Sequence, residues 1–154
     1  MEFGGKYVIQ APRKQVWRAL NDADVLQQVI PGCKKIEWVS QTELEVSVSV
    51  NLGITSPTFV GDLTLSDISP AEKYTLSGRG RGGILGQAQG AADIVLIDHV
   101  HGTSLTFTAV GGASGQIMRL GRTIVGASAQ KIIDRFFERF ALAMGATITT
   151  HNES

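Results

Sequence analysis

His99 and His101 stand two residues apart beside an expected turn, a spacing that can hold a metal ion adventitiously on an exposed hairpin. A structural or catalytic metal centre wants three or four ligands with hydrogen-bonded support, and no carboxylate or thiolate cluster accompanies this pair. No metal site is therefore assigned. Gly78-Arg79-Gly80-Arg81-Gly82-Gly83 fits the spacing G-x-G-x-x-G, in which glycines let backbone N–H groups approach a pyrophosphate at a helix N-terminus. Strand-like alternation follows it, so the helix is missing, and the run is expected to be a loop turning the chain between two strands. Cys33 follows a Pro-Gly turn with no base beside it, and Ser114 lacks the G-x-S-x-G context of a nucleophile. Asp62 and Asp93 fall within expected strands and face outward by parity, which removes a paired acid and base. No catalytic residue is assigned.

The remaining chemistry is apolar. The chain has 154 residues, 43% of them hydrophobic and 18% charged, which suits one folded domain. Lys+Arg and Asp+Glu balance at 14 each, so no whole-molecule field draws in nucleic acid, and no nucleic-acid partner is expected. A single cysteine and an N-terminus without a basic and apolar leader point to a reducing, cytoplasmic setting.

The elements follow from periodicity. Residues 3–10 read as a strand, and Pro12 suits the first turn of a helix over 12–20 carrying Val16, Trp17 and Leu20. Asn21 or Asp22 caps a second short helix, which Ile30-Pro31 ends, because a residue before proline is pushed out of the helical region. Glu43 to Val50 alternates strictly, the mark of a half-buried strand. Further strands are expected at 34–39, 58–68, 73–78, 84–98 and 103–111. From residue 115 the period becomes helical, with Ser114 as cap. Ile117, Leu120, Ile124, Ser128, Ile132, Phe136 and Phe140 trace one stripe, and Gly145 supplies a stop. Unbroken, that helix would run about 45 Å. It is the only element large enough to cover the sheet. The expected fold is α+β, a curved antiparallel sheet wrapped around a long C-terminal helix, with two short helices at one end. Residues 1–145 form the domain and 146–154 a polar tail.

On the strand over 84–98, parity places Gly86, Ala88, Gly90 and Ala92 on the covered face, with Ala109 and Gly111 beside them. Two readings stand. Either the small residues let the sheet bend and the helix sit close, or helix and sheet enclose an apolar cavity. Under the second, the walls are Ile30, Phe59, Leu63, Gly86, Ala88, Gly90, Phe107, Met118, Leu120 and Ile124. Arg79 and Arg81, with Arg119 and Arg122 beside the final helix, are the candidate membrane or partner contacts. Phe137 lies beside the helix's basic flank, read either as an exposed aromatic that such a surface would use or, more simply, as part of a solvated face with charges spaced i, i+4 among Lys131, Asp134, Arg135, Glu138 and Arg139. The doubled pairs Ile132-Ile133 and Phe136-Phe137 offer a homodimer face as an alternative.

Several segments together carry a likeness. Val16-Trp17-x-x-Leu20-x-Asp22 running on to Ile30-Pro31-Gly32-Cys33 resembles the opening of the CoxG family of carbon monoxide dehydrogenase subunits. The Gly- and Ala-rich stretch from Gly80 to Ala92 resembles its middle. Gly115-x-Ile117-x-x-Leu120-Gly121-x-x-Ile124 with Phe136-Phe137 resembles its closing helix, so the likeness spans residues 1 to 144. The resemblance implies a helix-grip (START/Bet v1-like) fold, shared with steroid-transfer domains, plant allergens and polyketide cyclases. It also implies a non-catalytic accessory protein of a molybdenum hydroxylase or carbon monoxide dehydrogenase-type enzyme. Such proteins recruit the enzyme to the membrane, and some look like carriers of quinone.

The expectation is thus a module holding an apolar small molecule, a quinone or lipid, with no tightly bound cofactor. Relatives often carry a hydrophobic tail beyond the domain. This sequence closes on His151-Asn152-Glu153-Ser154, so transient peripheral contact at the inner face of the membrane is expected. The rival readings are a cyclase-like enzyme and a cavity-free docking scaffold.

Overall fold

The computed structural model describes residues 1–53, 55–146 and, for the backbone alone, 148–150. Strand β1 (Glu2–Ile9) leads into helices α1 (Arg13–Leu20) and α2 (Ala23–Val29). A meander follows: β2 (Cys33–Trp38), β3 (Glu43–Ser49), β4 (Thr58–Ser69), β5 (Lys73–Arg81), β6 (Gln87–His99) and β7 (Gly102–Ser114). Helix α3 (Arg122–Met144) and the short β8 (Ile148–Thr150) close the chain. The strands pair antiparallel in the order β2-β3-β4-β5-β6-β7-β1-β8. This curved sheet gripping α3 is the helix-grip fold. β8 lies within the stretch read as a polar tail and pairs along Tyr7–Ile9; His151 and the rest of that tail lie outside the described residues.

Local chemistry explains the joints. The Asp22 carboxylate accepts from the Asp24 and Val25 N–H groups at 2.9 and 3.3 Å, capping α2. Such a cap contributes about 1 kcal/mol. Ile30, extended at φ −74° and ψ 116° before Pro31, ends the helix. Gly145, at φ 65°, terminates α3: its N–H reaches the Leu142 carbonyl and the Ala146 N–H reaches that of Ala141.

Two boundaries differ from expectation. The glycine-arginine run is no loop, since β5 continues through Arg81 with Arg79 and Arg81 outward and Gly78 and Gly80 inward. The turn comes later, as a single 3-10 turn over Gly83–Leu85, so β6 begins at Gln87 and Gly86 lies outside it. Ser114 does not cap a helix either. It is the last residue of β7, paired with Gln87, and a 3-10 turn over Gln116–Leu120 precedes Gly121 at φ 90°. The helix proper therefore has 23 residues and spans about 35 Å.

The expected stripe keeps Ser128, Ile132, Phe136 and Phe140 inward, but its steps of four overshoot the helical turn of 3.6 residues, so the stripe drifts outward towards the start of the helix. Val125, Phe137, Phe140 and Ala141 are buried, whereas Ile124 is 46% exposed. Phe137 is not an exposed aromatic beside a basic flank: it is stacked on Tyr7 at 4.3 Å and Phe107 at 5.2 Å between ring centroids. Ile132-Ile133 and Phe136-Phe137 all turn towards the chain's own interior.

Candidate functional site

The interior is packed as two separate clusters. One surrounds Ile9, Val16, Leu20, Val29, Leu105 and Phe140 at the α1–α2 end. The other joins Leu52, Phe59, Ile117 and Val125 at the far end. Strand register explains the gap. On the inner face, Gly78, Gly90 and Gly111 pair side by side in one cross-strand row. Gly61, Gly80, Ala88 and Ala113 form the next row, and Leu76, Ala92 and Ala109 the row on the other side. All of these side chains except that of Leu76 are hydrogen or methyl, so the sheet offers little to meet the helix. Gly61 has a further reason to be glycine, because a Cβ there would collide with the Arg79 carbonyl oxygen.

The helix does not fill the gap. Above the small patch it presents Ser128, Ala129, Ile132 and Ile133. Interiors are ordinarily packed without voids larger than a water molecule. Here a hollow of about 260 Å³ lies towards α1 and α2, walled by Leu20, Leu26, Ile30, Trp38, Leu63, Ile94, Phe107, Phe136 and Phe137, among others. A second, of about 470 Å³ and open to solvent, lies over the glycine rows. A third, of about 260 Å³, lies under the start of α3 against Leu52, Phe59, Ile117 and Val125. Ile132 borders all three, and neighbouring hollows share further walls, so they lie one after another along the helix. Inward residues Val46, Val48, Leu63, Leu76, Ile94 and Ile132 are accordingly only half-buried.

Three side chains interrupt this apolar lining of the inner hollow: Asn21, Trp38 and Tyr74. The Asn21 amide donates to the Trp17 carbonyl at 2.9 Å, and the Trp38 indole N–H donates to the Asn21 carbonyl at 3.2 Å. Tyr74 is 5% exposed, meets Trp17 edge-on at 5.2 Å, and is held well above the usual phenol pKa by burial. A hydroxyl left unpaired in such surroundings costs about 1–3 kcal/mol.

The expected wall residues divide. Ile30, Leu63 and Phe107 line the inner hollow; Phe59, Ala88 and Gly90 line the others. Four do not join them. Gly86, at φ 109°, sits in the turn before β6 with its Cα side against the Ser114–Gly115 backbone. Met118 and Leu120 pack on the far cluster from the 3-10 turn. Ile124 faces outward, for the reason of phase given above. Tyr74, Trp38 and Asn21 escaped sequence reasoning; for Tyr74 the signal was present, since Tyr74, Leu76, Gly78 and Gly80 alternate inward.

Arg79 and Arg81 lie on the outer face of β5, Arg79 opposite Asp62 and Gln89. Arg119 and Arg122 are exposed at the far end, either side of Gly121. Cys33 carries a thiol whose pKa burial pushes up, partly offset by the backbone at Lys35, the reverse of an activated nucleophile. His99 accepts the His101 N–H at 3.1 Å on Nδ1. Among the described residues no group of three or more His, Cys, Asp or Glu converges as metal ligands.

The family model for CoxG, a subunit of carbon monoxide dehydrogenase, matches residues 5–145. No curated protein sequence matches significantly. A conserved protein from Geobacillus kaustophilus is similar in structure, with TM-score 0.84 and 22% identity over 98% of this chain and 100% of that one. A protein from Thermus thermophilus superposes with TM-score 0.67 and 17% identity, covering 94% and 97% of the two chains. Ara h 8.0201 does so with TM-score 0.62 and 15% identity, covering 94% and 98%. At these identities the structural likenesses establish the fold.

Proposed function

Because this chain belongs to the CoxG family of carbon monoxide dehydrogenase subunits, we propose that it is a non-catalytic accessory protein of a molybdenum carbon monoxide dehydrogenase-type enzyme that carries an apolar molecule, a quinone or lipid, beneath α3. The observation that carries this reading is the unfilled apolar space along the helix, in a core otherwise built to bury side chains. Burying an apolar ligand there would contribute about 25 cal/mol per Å² of apolar surface removed from water. Native mass spectrometry of protein purified from its host is expected to show a co-purifying quinone or lipid. Protein that is always empty, and stays empty when offered such molecules, overturns the reading.

The carrier must meet a membrane to load or unload. No helix among the described residues is long and apolar enough to cross one, so the contact proposed is peripheral. The far end suits it. Ile84 is 85% exposed on the turn between β5 and β6, which meets the 3-10 turn carrying the exposed Arg119, and the exposed Arg122 follows at the helix start. Apolar side chains beside arginines complement an anionic lipid surface, at about 1 kcal/mol for each arginine near it. Sedimentation with phosphatidylglycerol vesicles is expected to weaken at least tenfold in an Arg119→Glu/Arg122→Glu/Ile84→Ser variant. Binding equal to the parent's, or no binding by the parent, removes this surface from the proposal.

A further inference from the structure

Every polar side chain in the wall of the inner hollow has its donor group accounted for except Tyr74. Asn21 and Trp38 direct their N–H groups to main-chain carbonyls, whereas the Tyr74 hydroxyl has no hydrogen-bond partner among the described residues. No fully occluded side-chain oxygen or nitrogen among the described residues lacks a partner, so this hydroxyl keeps accessible surface although the residue is 5% exposed. Tyr74 reaches inward from β5 beside Ile94, its neighbour in register on β6, and both border the hollow. Burial raises the phenol's pKa further, which favours the protonated, donating form. A buried donor without an acceptor is a standing cost, and an occupant that supplies the acceptor relieves it. Phenols donate more readily than they accept, because the ring withdraws the oxygen lone pair. The complementary group is a carbonyl oxygen on an otherwise apolar molecule.

We propose that Tyr74 is the polar anchor of the cavity, donating its hydroxyl proton to a ligand carbonyl, so that the site prefers ketones and quinones to hydrocarbons of the same shape. This rests on the carrier reading and names its ligand class. Phe107, Phe136, Phe137 and Trp38 contribute aromatic walls, which suit a flat conjugated body behind that carbonyl.

The test uses two flat probes of nearly identical shape, 9-fluorenone and fluorene, titrated against the full chain by quenching of tryptophan emission. The parent is expected to bind fluorenone about tenfold more tightly, the ratio that one net hydrogen bond of about 1.4 kcal/mol provides. Tyr74→Phe is expected to lose that preference while binding fluorene within twofold of the parent. Its melting temperature without ligand should equal or exceed the parent's, since it deletes an unpaired hydroxyl. Fluorene and fluorenone binding the parent equally well, or Tyr74→Phe retaining the preference, overturns the anchor and leaves the carrier reading standing. A clear fall in unliganded melting temperature shows the hydroxyl bonded within the protein and likewise overturns it. If neither probe binds the parent, the carrier reading fails and the anchor with it.

Discussion

Ala92→Phe is expected to weaken binding of an apolar probe such as fluorene by more than tenfold while the protein stays folded. Ala92 lies in register between Leu76 and Ala109 and borders both the inner and the middle hollow. A benzyl group there points into space that no other side chain occupies, so it takes the ligand's place. Forcing the same group into a filled core would cost about 1–3 kcal/mol. Here the melting temperature should change by no more than a few degrees. Probe titration and a thermal melt on the same sample decide the matter. Undiminished binding in a folded variant would place the ligand elsewhere, and collapse of the fold would mean that the hollow is not free volume.

The opposite change, at the aromatic stack, should be the most destabilising single substitution considered. Phe137→Ala removes a ring that is 6% exposed and packs on Tyr7 and Phe107, tying α3 to β1 and β7. Loss of a buried phenylalanine costs about 3–5 kcal/mol. For a domain of this size that corresponds to a fall of roughly 10 °C in melting temperature. Leu142, on the same helix but 78% exposed, is the control, and Leu142→Ala should stay within about 0.5 kcal/mol of the parent. Urea unfolding of the pair measures both. A Phe137→Ala protein as stable as the control would show that the stack does not fasten the helix to the sheet.

Much of the fold is written in local chemistry and is legible without coordinates. The alternation from Glu43, the Ile30-Pro31 stop, the Asp22 cap and the Gly145 terminus each depend on a few neighbouring residues. The inward parity of Ala88, Gly90, Ala92 and Ala109 is of the same kind. What escapes is whatever depends on pairing between distant segments. That Gly78 lies beside Gly90, and Gly90 beside Gly111, is a fact of register, and no single strand reveals it. The start of α3 escaped for another reason. A 3-10 turn and Gly121 at φ 90° separate Ile117 from the helix, and within the helix steps of four overshoot the turn of 3.6 residues, so the stripe running back from Phe140 has drifted outward by Ile124, where Val125 is the buried residue. Likewise Gly78-Arg79-Gly80-Arg81 looks like a turn by composition, yet its glycines are the floor of the hollow and its arginines the outside of a strand.

Two clusters of packing with empty volume between them make the unliganded domain a structure short of part of its own interior. Any molecule that settles there completes the contact between sheet and helix, and by mass action the folded state gains whatever that molecule's binding supplies. At a free concentration one hundred times its dissociation constant the gain is about 2.7 kcal/mol. Under the carrier function proposed above, melting temperature becomes a gauge of cargo, rising on loading and falling back on delivery.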